Sequence, residues 1–194
     1  NTFQKKKGEV SCLILLKLHS GWRLVGGGWD RTLTGWDVAG KQIMSYSNGH
    51  KGDVTCLCQI EEAFMVSGDS LGRICMWSTQ SRYPMKSIVL FEKMKVDSEI
   101  AQVLTGGSVT NLKKNGIKTC NLPNVDELPM SIECMCYDSI RRMILIGTSS
   151  GIVIALNSTT LSRVKYGNGI ITSFLQSSVD SICLNNDSSR LILM

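Results

Sequence analysis

Eight cysteines and two histidines are the residues of this chain best suited to metal or nucleophilic chemistry. Cys56-Leu57-Cys58 and Cys134-Met135-Cys136 are C-x-C pairs, whereas structural zinc knuckles use C-x-x-C. On a strand, alternate residues share a face, so each pair points one way. The flanks align as well: Val54 with Ile132, Cys56 with Cys134, Cys58 with Cys136. Cys12 fits the first cysteine position of this pattern and Cys183 the second. The cysteines therefore read as small apolar residues of crowded inner strands, unpaired and without a metal. His19 and His50 stand too far apart in the pattern to form a catalytic or metal pair, and no nucleophile–base–orienter set is visible. Gly26-Gly27-Gly28 lacks the Gly-Lys-Ser/Thr and following helix of a phosphate loop, and reads as a close-packed strand end and turn. These residues predict no catalytic site, no metal and no cofactor.

The elements that carry them are short. The chain has 194 residues, 43% hydrophobic and 19% charged, enough apolar material for a core and too much for a disordered chain. The longest apolar runs, 12–16 and 152–156, are strand-sized, far short of the roughly 18 residues of a membrane span. Eighteen glycines against three prolines, with short Val/Ile/Leu/Cys runs, favour a β protein with many tight turns. Net charge is +5. Its lysines and arginines fall in small groups (Lys5 to Lys7, Lys113 with Lys114, Arg141 with Arg142), not in the concentrated stripe of a nucleic-acid footprint. The start at Asn1, without a secretory segment, and the stop inside the apolar run 191–194 lead us to expect a piece of a longer protein.

A repeat runs through the chain. Residues 24–37 (LVGGGWDRTLTGWD) and 65–78 (MVSGDSLGRICMWS) each read as apolar strand, glycine turn, alternating strand, tryptophan and polar stop. Gly49-His50 precedes the second, followed by Val54 to Cys58. Weaker copies occupy 104–121, with Cys120 in the tryptophan slot, and 143–157, with Leu156 there; 179–184 and 190–193 open another, and the stretch 88–121 reads alternatively as a loop or linker between two better blades. The slots at 36, 77, 120 and 156 are 41, 43 and 36 residues apart. That period holds four short strands whose faces neighbouring units must bury.

These segments resemble the WD-repeat family, whose unit is a Gly-His, an apolar strand, a Ser-Gly-x-x-Asp-Gly turn and a final Trp-Asp. The resemblance implies an all-β propeller of four-stranded antiparallel blades. We expect about four blades and the start of a fifth, at residues 8–47, 48–88, 89–128, 129–168 and 169–194, within one partial propeller over 1–194. Further blades, from this chain or another, would be needed to close it. In a well-formed blade of that family, His, Ser or Thr, Asp and Trp form a buried hydrogen-bonded tetrad. The second blade has His50, Ser67 and Trp77, but Leu71 falls where the Asp should be. The first has Asp30 and Trp36, with Lys6 near the His slot and Gly26 near the Ser slot. No blade is thus expected to have all four. Trp36-Asp37-Val38-Ala39 lacks the arginine with which some members dock to a ubiquitin-ligase adaptor.

Function follows as an expectation: a non-enzymatic scaffold for protein partners, binding no nucleic acid. The alternatives are a structural part of a large assembly such as the ciliary or flagellar axoneme, and a regulatory propeller attached to a catalytic domain such as a kinase or a trafficking regulator. Free buried thiols point to a reducing, cytoplasmic compartment, so the sequons at Asn157 and Asn186 carry no weight. The resemblance places the turn between second and third strands on the loop face. There Trp29 and Arg31 flank Asp30, while the corresponding places in other blades hold Ser70 and Ser149. Trp and Arg are the types enriched in interface hot spots, so Trp29, Arg31, Ser70 and Ser149 are the expected protein-binding residues.

Overall fold

Short strands separated by glycine turns fold back on themselves as antiparallel meanders, and the chain repeats this solution. In the computed structural model the described residues are 8–90, 130–164, 178–185 and 191–193; they belong to one compact unit formed by 1–90 with 130–194. The first sheet is β1 (Val10–Leu18), β2 (Gly21–Gly28), β3 (Leu33–Asp37) and β4 (Gln42–Tyr46), paired in chain order. The second is β5 (Val54–Gln59), β6 (Phe64–Asp69), β7 (Arg73–Ser78) and β8 (Pro84–Val89). The third is β9 (Ile132–Asp138), β10 (Met143–Thr148) and β11 (Val153–Asn157). Beside β11, Val164 N–H donates to Ala155 and Asn157 N–H to Ser162. The last sheet is β12 (Ile182–Leu184) with β13 (Leu191–Leu193). Every regular element among the described residues is a strand, and the sheets are propeller blades.

The first strand of each sheet lies innermost and meets the next: β1 packs on β5, β5 on β9, and β9 on β12. One device makes these contacts. A Cβ added to Gly27 would lie 2.5 Å from Val54, on Gly68 2.6 Å from Ile132, and on Gly147 2.7 Å from Val179. Each second strand thus offers a bare glycine to a β-branched residue of the following blade, and only glycine permits that approach. The register slips at the same place in all three sheets, after Val10, Val54 and Ile132. This bulge turns Ser11 and Thr55 outward. Their hydroxyls donate to the carbonyls of Val54 and Ile132 in the next sheet.

The repeat expected over 89–128, with Cys120 in its tryptophan slot, lies almost wholly outside the described residues. Thr55 and Gly68 of the second sheet touch Ile132 itself, so the sheet that begins at Ile132 is the second sheet's direct neighbour.

Between the first two sheets the core is Leu16, Val25, Leu33, Tyr46, Val54, Met65, Cys75 and Trp77, all buried. Tyr46 meets Trp77 edge to face with centroids 5.8 Å apart. A polar latch closes its outer end: Arg23 and the Tyr46 hydroxyl both donate to the carbonyl of Thr79.

Candidate functional site

Two places in this frame could carry function: the buried polar cluster of the second blade and the turns that open on the rim.

The cluster arises from strand geometry. Ser67 and Asp69 sit two residues apart on β6 and therefore share a face. Trp77 on β7 is opposite Met65, one diagonal step from Ser67. The loop before β5 brings His50 against all three. Trp77 Nε1 donates to Ser67 Oγ at 2.7 Å, Ser67 Oγ contacts His50 Nε2 at 2.5 Å, and His50 Nδ1 contacts Asp69 Oδ2 at 3.0 Å. Since the indole can only donate and the carboxylate accepts, the protons run one way: indole to hydroxyl, hydroxyl to Nε2, Nδ1–H to carboxylate. Asp69 also accepts from the N–H groups of Gly52, Leu71 and Arg73 at 3.2, 3.0 and 2.9 Å. Burial by itself would push this carboxyl up, but the hydrogen bond from His50, with those from the Arg73 and Gly52 amides and the attraction of His50, holds it below the ordinary Asp value.

This corrects the reading of the second blade. Its tetrad is complete, with Asp69 as the acid, and Leu71 is an exposed turn residue. Asp69 stands two residues before the expected slot, at the end of the strand instead of within the turn. Alternation from Ser67 puts Asp69 on the buried face, and the strand ends there, before position 71.

Asp69, His50 and Ser67 form an orienter, base and hydroxyl in series, the set not visible in the sequence. They are closed to substrate. Ser67 and Asp69 are fully buried, and the serine oxygen already accepts the indole proton. A nucleophile needs a free approach to its oxygen, and Ser67 has none. The cluster ties the His50 loop, the 69–73 turn and β7 together.

The other tetrad remnants do different things. In the first sheet Gly26 takes the place of Ser67, and a Cβ there would meet Trp36 at 3.0 Å, so the indole fills the space of the missing hydroxyl. Asp30 caps its own turn, accepting from Thr32 N at 3.0 Å and Thr32 Oγ1 at 2.9 Å. Lys6 is outside the described residues. In the third sheet the corresponding places hold Ile146 and Leu156, fully buried and apolar, and Thr148 caps the turn through Ile152.

The rim turns share one backbone hydrogen-bond pattern. Trp29 N–H donates to Glu9, Ser70 N–H to Asp53 and Ser149 N–H to Ser131, so these three positions are equivalent. Ser70 and Ser149 also use their hydroxyls, which accept from Asp53 N and Ser131 N at 3.0 and 3.1 Å. Trp29 has no such duty and is 58% exposed. Two positions on, Gly72 and Gly151 adopt φ of 73° and 77°, the left-handed conformation suited to glycine; Arg31 holds φ of 63° in the same place. The first turn thus carries Trp and Arg where its copies carry Ser and Gly.

The cysteines form two rows across the blades. Cys12, Cys56 and Cys134 each face the carbonyl of the next sheet's β-branched residue, at 4.0, 4.0 and 3.2 Å. Cys58, Cys136 and Cys183 occupy the second position. Burial pushes Cys56 well above the ordinary thiol value, Cys58 and Cys75 to about 12, and Cys134 to about 11. Among the described residues no group of three or more His, Cys, Asp or Glu is placed to hold a metal ion. Among them, too, no helix is long and apolar enough to cross a membrane.

No family model matches the chain. It is 28% identical over 90 residues to the methylosome protein WDR77 of Xenopus laevis, a stretch of 45% of this chain and 27% of that protein. The chain thus covers about a quarter of the length of that curated relative. The crystal structure of the computationally designed Ika4 protein superposes with a TM-score of 0.61, covering 100% of this chain and 94% of that one at 15% identity, a likeness of fold alone. The chain is built of propeller blades and is similar, over the residues matched, to a WD-repeat protein.

Proposed function

We propose that the chain is a non-enzymatic interaction scaffold whose blades hold rim turns in fixed positions for protein partners. The observation that carries this reading is the 29–31 turn. A local rule followed by the two equivalent turns is broken there by an exposed tryptophan and by an arginine in a glycine conformation. Such departures concentrate where binding rather than folding sets the residue. The likeness to a relative named for the methylosome supports membership of a multiprotein assembly. Among the described residues the Asp69–His50–Ser67 series is sealed inside a blade, which supports a non-catalytic role. No disulfide joins the seven cysteines among the described residues, most of them at least partly buried, which supports a reducing, cytoplasmic setting. The test is Trp29→Ala in the full-length protein. It should weaken the captured partner's binding by about 2 kcal/mol or more with melting nearly unchanged. A variant that melts early, or keeps full affinity for every partner, removes Trp29 from the binding surface.

A further inference from the structure

Each sheet has two faces, and the first sheet has covered one of them. In the β1–β2 ladder Val10 stands opposite Gly28, Leu13 opposite Gly26, Leu15 opposite Leu24 and Lys17 opposite Trp22. Opposite residues share a face, and so do alternate ones along a strand. Val10, Leu13, Leu15 and Trp22 therefore lie on one side of the sheet. They are 42%, 59%, 53% and 51% exposed. The other side, with Leu16 and Val25, packs on the second sheet.

The second sheet shows what such a face is for. Val54 and Leu57 occupy the places of Val10 and Leu13, opposite Asp69 and Ser67. Val54 is wholly buried against Gly27, and Leu57 packs on the same core between the first two sheets. Ile132 plugs the socket at Gly68 in the same way, and Val179 that at Gly147. At two of these three junctions the carbonyl of the plugging residue accepts a hydroxyl from the preceding sheet, Ser11 for Val54 and Thr55 for Ile132. Val10 precedes the same bulge as Val54 and Ile132. It is the same plug, left exposed.

The described sheets of a second copy have no socket to offer it. Gly27, Gly68 and Gly147 are each filled by the residue that follows in the series, and β13 contains no glycine.

We infer that the face of Val10, Leu13, Leu15 and Trp22 receives a further propeller blade, one whose second strand carries a bare glycine for Val10 and whose first strand carries a serine or threonine hydroxyl for the Val10 carbonyl. This surface is separate from the 29–31 turn, and the inference stands without it. The apolar side chains supply contact area. The glycine supplies selectivity, since a Cβ in the socket would overlap the valine.

The test is photo-crosslinking in cells that make the full-length protein, with benzoylphenylalanine in place of Leu15 and the joined peptides read by mass spectrometry. The product should join residue 15 to a strand hairpin whose second strand holds a glycine. Changing that glycine to valine should lower the yield by about tenfold or more. Val10→Thr keeps the branched shape and should leave the yield unchanged, whereas Val10→Trp should lower it about as far as the glycine change does. A product with a segment lacking such a glycine, or a yield indifferent to the valine, would overturn the socket rule. A product with a second copy of the chain would replace the further blade by self-association. No product, from residue 15 or from a second probe at residue 13, would show the face bare and overturn the inference. None of these outcomes bears on Trp29, so the scaffold reading is judged separately.

Discussion

His50 Nδ1 lies 3.0 Å from the Oδ2 of Asp69, nineteen residues along the chain, and both side chains are buried. The pair closes a blade from the inside. Around it, Trp77, Ser67 and three backbone N–H groups leave no polar atom of the cluster without a partner.

That pairing predicts an order of damage. A single net hydrogen bond is worth about 1 kcal/mol, but removing His50 takes a ring donor from the buried Asp69 carboxylate, and removing Asp69 leaves the His50 N–H and three backbone N–H groups without their acceptor. His50→Ala and Asp69→Ala should each cost about 3 kcal/mol or more in denaturant melts. Leu71→Asp, which restores the residue the motif asks for, should change stability by no more than about 0.5 kcal/mol. A clear gain from Leu71→Asp would move the acid of the tetrad back into the turn.

Acid should act through the same carboxylate. The value of Asp69 is lowered in the folded chain, so the unfolded chain binds its proton first as pH falls. Its stabilising contribution is complete above the ordinary Asp value and is lost as pH drops through the depressed one. Melting temperature should therefore fall steeply below about pH 4, and Asp69→Asn should flatten that fall while lowering stability at neutral pH. An unchanged acid slope in the variant would assign it to other carboxylates.

The glycine sockets make a second kind of prediction. Gly68→Ala places a Cβ 2.6 Å from the Cγ2 of Ile132, inside the contact that joins two blades. It should destabilise by about 2–3 kcal/mol. Trimming the partner in the double variant Gly68→Ala/Ile132→Ala should recover part of this, giving a non-additive cycle. Strict additivity would show that the two residues do not meet.

Arg31 separates folding from binding. Replacing it by glycine relieves a left-handed φ and should raise stability by about 0.5–1 kcal/mol while weakening partner capture. A loss of stability would mean that the arginine side chain holds the turn.

Thiol reactivity follows burial. At pH 8, maleimide labelling mapped by mass spectrometry should reach the exposed Cys183 first among the described cysteines. Cys58 and Cys75, at about 12, should label only on unfolding. Early labelling of Cys58 would place its strand in contact with solvent.

By itself the sequence determined what is local. Alternation, glycine turns and the 41-residue step from Trp36 to Trp77 were enough to define four-stranded blades and to align Val54 with Ile132 and Cys56 with Cys134. The resemblance to WD repeats, in turn, aligned Trp29 with Ser70 and Ser149. Strand period and turn chemistry act over a few residues, so they survive in a degenerate repeat. Tertiary structure decided whatever depends on what a side chain meets. It chose Asp69 over position 71, because the tetrad acid is selected by distance to His50 and not by spacing from Ser67. It made the second sheet and the sheet at Ile132 direct neighbours, since a glycine socket accepts whichever β-branched residue packs into it. It also sealed Ser67, His50 and Asp69 away from solvent, because burial is a property of the blades packed together and is written in no single motif.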